Sequence, residues 1–156
     1  MTTVQPDLLK DLSESEAAQV LALGSARRFE PGRELFRLGV EAPGVFVIQR
    51  GRVALTLPMQ VQGQEEDVMI EERAAGQVVG WSGLVPPHRF TLKATAQLQT
   101  DVIFLDREPL MKYFSAHPEV GYLVTRNVAA VIGHRLQIFQ AMWLREMQRL
   151  VELRCP

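Results

Sequence analysis

The histidines are the side chains best suited to metal binding or to acid–base catalysis near neutral pH. They are His88, His117 and His134, which lie in a loop, beside a proline and in a helical segment. A metal centre needs clustered histidines and carboxylates, and this spacing does not supply them. The sequence also lacks a P-loop, a dinucleotide-binding fingerprint and a nucleophile–base pattern. We therefore predict a protein that is not an enzyme and holds no metal.

Carboxylates in the central region show no paired spacing that indicates catalysis. We interpret them as solvated strand and turn residues: Glu65, Asp67, Glu71 and Asp101. The only cysteine, Cys155, cannot form an intramolecular disulfide, which favours a reducing cytoplasm as the location. Neither a secretory signal nor a run of the ~20 apolar residues that span a bilayer is apparent. We expect no membrane insertion.

Composition and charge are those of one ordinary folded domain. The chain has 156 residues, of which 47% are hydrophobic and 22% are charged, and its formal net charge is −1. A charge this close to zero predicts no general attraction to nucleic acid or to an anionic membrane.

Turn signals and hydrophobic periodicity predict the elements that would position a site. Ser13 and Glu16 have the spacing of a capping box, which predicts a helix over about residues 14–23. Between residues 27 and 106, short β-type runs alternate with Gly- and Pro-containing turns, which predicts antiparallel sheet.

Three runs carry this β prediction. Residues 44–48 and 53–57 flank the turn Gln49-Arg50-Gly51-Arg52, and we expect them to pair as a hairpin. Residues 90–98 alternate between apolar and polar types with a period of two, and residues 102–105 have the character of a buried strand. Many short strands at near-regular spacing favour a barrel or a sandwich.

Helical sequence resumes after Asp106, and Pro118 is predicted to occupy the first position of a long helix of roughly 50 Å. Residues 120–132 are expected to pack on the body of the protein. Residues 139–153 favour a homodimer seam, with packing back on the body as the alternative. The predicted interface residues are Leu136, Phe139, Trp143, Met147, Leu150 and Leu153. Gly133 inside this helix predicts a kink or a close backbone contact.

Two runs that contain turn glycines resemble the cyclic-nucleotide-binding domain family. They cover residues 29–39 and 46–53. The shared pattern is Pro31-Gly32, an aliphatic-Phe pair, the turn glycine Gly39 and a hairpin that contains Gly51. Members of this family include the bacterial catabolite activator and the regulatory subunits of cyclic-AMP-dependent kinase. The resemblance covers about residues 14–140. It implies a mainly β fold with flanking α-helices: an eight-stranded jelly-roll barrel with an N-terminal helix and a long C-terminal helix.

We expect one structural domain in two parts, a barrel from the resemblance and a dimerising helix from the apolar stripe. Residues 1–116 are expected to form the barrel with its N-terminal helices, and residues 117–156 the dimerising helix. Family members in transcription carry a helix-turn-helix after this helix, and the absence of one here predicts no DNA binding by this chain alone. The basic edge of the last helix is offset by Glu146 and Glu152 and is interpreted as a solvated face; it consists of Arg145, Arg149 and Arg154.

The family binds its ligand with a phosphate cassette, which begins Gly-Glu and ends Arg-Ser/Thr-Ala. The glutamate accepts a hydrogen bond from the ribose, and the arginine holds the phosphate. Trp81 occupies the glutamate position, Leu92 the arginine position and Lys93 the Ser/Thr position, so two anchors are replaced. Leu92 is expected to point into the barrel. The candidate pocket residues are Gly80, Trp81, Ser82, Gly83, Leu84, Arg89, Leu92 and Lys93.

Arg89 is the local candidate for a clamp on an anion, together with the backbone amides of Ser82 and Gly83. The alternative is an ordinary solvated arginine. Trp81 also has two interpretations, as a pocket residue that stacks on or plugs the site, or as a core residue.

Two functions follow as hypotheses. In one, the chain is a sensor that needs no cofactor and takes a cyclic nucleotide or another small anion. In the other, the pocket is vestigial and the chain is a dimeric interaction or scaffold module.

Overall fold

The computed structural model describes residues 5–155, which form eight strands, three α-helices and two 3₁₀ turns. The strands are β1 (Ser25–Phe29), β2 (Glu34–Phe36), β3 (Gly44–Arg50), β4 (Arg52–Val61), β5 (Gln64–Ala74), β6 (Val78–Val79), β7 (Lys93–Ala96) and β8 (Thr100–Asp106). The helices are α1 (Glu14–Leu21), α2 (Arg107–Ala116) and α3 (Pro118–Arg154), and the 3₁₀ turns are Asp7–Leu9 and Trp81–Gly83.

The eight strands form two antiparallel sheets of four strands each. The first sheet has the order β1-β8-β3-β6, and the second has the order β2-β7-β4-β5. Among the described residues no ladder joins an edge strand of one sheet to an edge strand of the other. The predicted closed barrel is therefore corrected to a β-roll of two facing sheets, while the mainly β class, the strand number and the flanking helices are confirmed.

The predicted pairing of β3 with β4 is wrong. β3 pairs with β8 and β6, whereas β4 pairs with β5 and β7, so the chain passes from one sheet to the other at Gly51. Gly51 has φ +102°, and a Cβ there would lie 2.5 Å from Thr100 Oγ1. The turn residues specify a sharp reversal, but they do not specify which strand becomes the partner.

The adjacent β hairpin is instead formed by β4 and β5. Val61 pairs with Gln64, and the two intervening residues, Gln62 and Gly63, both have positive φ. This backbone is the type of two-residue turn that matches the twist of a hairpin.

The predicted strand over residues 90–98 is shorter than expected, because only Lys93–Ala96 forms a ladder. The predicted alternation is nevertheless present: Phe90, Leu92 and Ala94 are buried, whereas Thr91 is exposed. The segment before β7 forms backbone hydrogen bonds with the loop after β2; for example, Phe90 N donates to Val40 O at 3.0 Å.

Two apolar clusters hold these layers together. The inner core lies between the sheets and includes Phe46 and Ile48 of β3. The helix core includes Val45 and Val47, which alternate with them and face the N-terminal segment, α1, α2 and the first part of α3. Each β3 face is therefore covered, as expected for a central strand.

The helix predictions are largely confirmed. Ser13 Oγ accepts a hydrogen bond from Glu16 N at 3.1 Å, and Ser13 N donates to Glu16 Oε1 at 2.9 Å, so the capping box begins α1. Pro118 begins α3, which runs for 37 residues, or about 55 Å. A Cβ on Gly133 would meet no atom within 4 Å, so the alternative of a close backbone contact is wrong.

Helix α3 packs on the body further than predicted, because Ile138, Phe139 and Met142 lie partly buried against the inner core. Beyond Met142 its apolar residues are mostly exposed. Of the predicted interface residues, Phe139 and Met147 are half-buried; the others are exposed by 45–75%: Leu136, Trp143, Leu150 and Leu153. Within the described part of the chain, no helix has the length and apolar character required to cross a membrane.

Candidate functional site

Strand β6 leads into a glycine turn, at the start of the segment that the sequence marks as a pocket. Gly80 has φ +80°, a left-handed conformation that glycine adopts without strain. A Cβ on Gly80 would lie 3.0 Å from Phe90 Cε1 and 3.3 Å from Phe36 Cε1. Both the turn and the close approach of the two rings therefore require glycine here.

The following 3₁₀ turn, Trp81–Gly83, packs directly on the start of β3. A Cβ on Gly83 would lie only 2.0 Å from Gly44 O. The Gly83 amide donates to Gly80 O at 3.0 Å, and the Gly83 carbonyl accepts from Arg107 Nη1 at 3.1 Å. Of the two amides predicted to cradle an anion, that of Gly83 therefore already has a partner within the turn.

A small space lies beneath this turn, which we call the central cavity. Its volume is about 10 Å³, room for roughly one water molecule. Its lining residues are Phe36, Leu55, Gly80, Trp81, Ser82, Phe90, Thr91, Leu92 and Arg135.

Aromatic and aliphatic side chains occupy most of the volume around the cavity. Phe36 and Phe90 stack with their ring centroids 3.8 Å apart and their planes 8° from parallel. Leu92 is 3% exposed and belongs to the inner core, which confirms that it points inward. The position expected to carry the phosphate-binding arginine is therefore apolar and closed from solvent.

The structure brings half of the predicted pocket residues to the cavity. Those that line it are Gly80, Trp81, Ser82 and Leu92, and those outside it are Gly83, Leu84, Arg89 and Lys93. Trp81 is half-buried and also packs against the helix core, so it is both a cavity-lining residue and a core residue. The lining residues that the sequence reasoning missed are Phe36, Leu55, Phe90, Thr91 and Arg135.

The two cations near the cassette face away from the cavity. Arg89 is exposed, and its Nη1 donates to Gly39 O at 3.0 Å, so it ties two loops together. Lys93 Nζ lies 2.7 Å from Asp67 Oδ2, and this hydrogen bond raises the pKa of the lysine. Arg89 thus has the surroundings of a solvated arginine.

A different arginine reaches the cavity, and it comes from α3. The Arg135 side chain is 9% exposed, and its Nε donates to Glu71 Oε2 at 2.7 Å. Glu71 Oε1 also accepts from Arg73 Nη1 at 3.3 Å, and Arg73 Nη2 donates to Asp7 Oδ2 at 2.6 Å. We call these four residues the buried charge network. The interpretation of Glu71 as a solvated strand residue is wrong, because its side chain is only 13% exposed.

Burial acts on both ends of this network. Desolvation lowers the pKa of the Arg135 guanidinium, and the neighbouring Glu71 opposes that change. Desolvation also raises the pKa of the Asp7 carboxyl, although Arg73 opposes it. An arginine stays charged at neutral pH despite such a shift, so Arg135 brings a full positive charge to the cavity wall.

The sequence did contain a signal for Arg135. It lies seven residues after Val128 and four before Phe139, so it falls in the apolar stripe that packs α3 on the body. A charged residue in a buried stripe is normally paired with an opposite charge.

Metal-binding geometry is not found in the described part of the chain. Between residues 5 and 155 no three or more His, Cys, Asp or Glu side chains come together in a way that would hold a metal ion.

The facing sheets, the glycine turn and the long covering helix define a β-roll domain. The family model for the cyclic nucleotide-binding domain matches residues 26–117, which is more than half of the chain. The protein belongs to this family.

Solved structures share this fold. The N-terminal domain of a transcriptional regulator from Streptomyces coelicolor A3(2) is similar with a TM-score of 0.72 and 23% identity, over 88% of this chain and 94% of that one. The Thermus thermophilus catabolite activator protein is similar with a TM-score of 0.73 and 22% identity, over 91% of this chain and 63% of that one.

Among curated proteins, Glutaminase 2 of Bradyrhizobium diazoefficiens is 24% identical over 129 residues. That match covers 83% of this chain and 19% of the relative. The chain thus spans about a fifth of the length of the curated relatives it matches.

Proposed function

We propose that this chain is a non-enzymatic regulatory module whose site does not hold cyclic AMP or cyclic GMP in the manner of its family. The observation that carries this proposal is the central cavity, which has a volume of only about 10 Å³. The stacked rings of Phe36 and Phe90 occupy the space beside it. A nucleotide could enter only if these side chains moved.

The chemistry of the cassette supports the same proposal. Trp81 and Leu92 stand where the family motif has its glutamate and its arginine, and neither offers the lost charge. Hydrogen bonds to charged groups contribute ~1.5–3 kcal/mol each, so the loss of both weakens binding by about two to four orders of magnitude.

Isothermal titration calorimetry with cyclic AMP and cyclic GMP tests this proposal. We expect no saturable heat at ligand concentrations up to about 1 mM, given the two missing anchors. The same sample should show a cooperative thermal melt, which demonstrates that the protein is folded. A saturable isotherm with a micromolar dissociation constant would contradict the proposal.

A second candidate function is a homodimeric interaction module, with residues 1–116 as the body and residues 117–156 as the dimerising helix. The exposed apolar residues beyond Met142 favour it, because Trp143, Leu144, Leu150 and Val151 are 45–63% exposed. Trp143 and Leu150 lie about a quarter of a turn around α3 from Arg135 and Met142, which face the body. A seam through Trp143 and Leu150 therefore does not compete with packing on the sheets, whereas Phe139 is already in contact with the inner core.

Sedimentation velocity of matched helix variants tests the dimer. We expect the parent protein to be dimeric at micromolar concentration and Leu150→Glu to be monomeric, because a charge in an apolar seam is strongly unfavourable. Ala141→Glu, on the opposite face of the same exposed helix, should remain dimeric. A parent protein that sediments as a monomer would refute the seam.

The location in a reducing cytoplasm stays a prediction from the single cysteine, Cys155. We propose no DNA binding by this chain alone.

A further inference from the structure

Arg135 is the only charged residue among those that line the central cavity. Its Nε is bonded to Glu71, but its Nη1 and Nη2 donate no hydrogen bond to any residue in the described range 5–155. A guanidinium has five N–H groups to satisfy. The Arg135 side chain is only 9% exposed, but neither Nη atom is among the fully buried side-chain atoms that lack a partner. These donors therefore remain accessible to water or to a ligand at the cavity that Arg135 lines.

The remaining lining residues are compatible with an anion and offer no competing charge. They include the hydroxyl residues Ser82 and Thr91 and the indole of Trp81, and within residues 5–155 no Asp or Glu lines the cavity. The rest of the lining is largely apolar and includes Leu55 and Leu92. An anion attached to a small apolar body would match this lining.

We propose that Arg135 is the anion-binding residue of this pocket, and that the pocket takes a small carboxylate or phosphate whose oxygens accept hydrogen bonds from its Nη atoms. This inference rests on the proposed function and names the ligand class of the same site. It moves the positive anchor from the segment just before β7, where Leu92 lies, to helix α3. The planar guanidinium suits carboxylate and phosphate groups, which can accept two parallel hydrogen bonds.

The size of the cavity sets two consequences. A ligand larger than water must displace an aromatic ring, and Phe90 lies in a segment outside the β7 ladder. The affinity is therefore modest. The ligand would also share one guanidinium with Glu71, so binding would act directly on the contact that holds α3 to β5.

Tryptophan fluorescence tests the proposal in a Trp143→Phe background. The chain has two tryptophans, so this background leaves Trp81 as the one that emits. The probes are benzoate, its neutral counterpart benzyl alcohol, and inorganic phosphate, at matched ionic strength. We expect a saturable change in Trp81 emission with benzoate. Benzyl alcohol should bind to the parent protein at least about tenfold more weakly than benzoate does. Benzoate should bind to Arg135→Gln more weakly by a similar factor, because each change removes a charged hydrogen bond.

Two further variants keep the test decisive. Arg89→Gln removes the nearby arginine that faces solvent, and it should leave benzoate binding unchanged. Arg135→Lys keeps the charge but loses the paired donors, and it should weaken binding even if Arg135→Gln proves unstable by circular dichroism. Equal benzoate binding in Arg135→Lys and the parent, equal binding of benzyl alcohol, or no saturable response to benzoate or phosphate would overturn the proposal. None of these results depends on the cyclic-nucleotide calorimetry, so the two proposals fail separately.

Discussion

Replacement of Gly83 with alanine is expected to destabilise the protein by about 3 kcal/mol or more. The new Cβ would lie 2.0 Å from Gly44 O and 2.2 Å from Gly44 C, and these are backbone atoms of β3. A flexible side chain could move aside, but β3 is held in ladders with β6 and β8. The Trp81–Gly83 turn must therefore shift, and the packing of Trp81 against the helix core is lost with it.

Urea unfolding followed by circular dichroism measures this change. Gly133→Ala is the matched control, because its Cβ would meet nothing within 4 Å and its position is helical. That control should be more stable than the parent by about 1 kcal/mol, the difference in helix propensity between glycine and alanine. If Gly83→Ala unfolds within about 1 kcal/mol of the parent, the proposed contact between the turn and β3 is not a constraint.

The substitution Glu71→Gln is expected to destabilise the protein by about 3 kcal/mol, because it leaves buried arginines without their shared carboxylate. The Arg73 and Arg135 side chains are 5% and 9% exposed, so water cannot replace Glu71 effectively. The two like charges then repel each other in a poorly solvated region. We also expect earlier loss of the contact between α3 and β5.

Chemical denaturation of two additional variants isolates the origin of this effect. Asp101→Asn removes a carboxylate from a pair with Arg28, which is 59% exposed, and it should change the stability little. The double variant Glu71→Gln with Arg135→Gln should be less destabilised than the sum of the single changes, because it removes one buried charge along with its partner. Strict additivity, or an effect of Glu71→Gln no larger than that of Asp101→Asn, would show that the network contributes no coupling.

Both substitutions change residues that position the lining of the same cavity. Gly83 fixes the turn that carries Trp81 and Ser82, and Glu71 fixes the orientation of Arg135. The site is therefore defined jointly by a local turn and by a helix more than fifty residues further along the chain.

Local features of the chain could be predicted well from the residues alone. The Ser13–Glu16 capping box, the N-terminal Pro118 of α3 and the turns at Gly39 and Gly51 depend on residues within a few positions of one another. The inward orientation of Leu92 followed from a period of two. These interactions are short-range, so sequence spacing already contains their geometry.

Strand partners and the contents of the cavity were decided by tertiary structure. The reversal at Gly51 is compatible with a hairpin or with a corner between sheets, and only the competing ladders of β3 with β8 and β4 with β5 select the corner. The same is true of Glu71, whose acidic spacing suggests a solvated strand until α3 covers it with Arg135, 64 residues further on. The residues by themselves determine turns, caps and buried faces, because those depend on local backbone preference. The small cavity and its single arginine depend on how distant elements pack, because burial and charge pairing arise only when those elements meet.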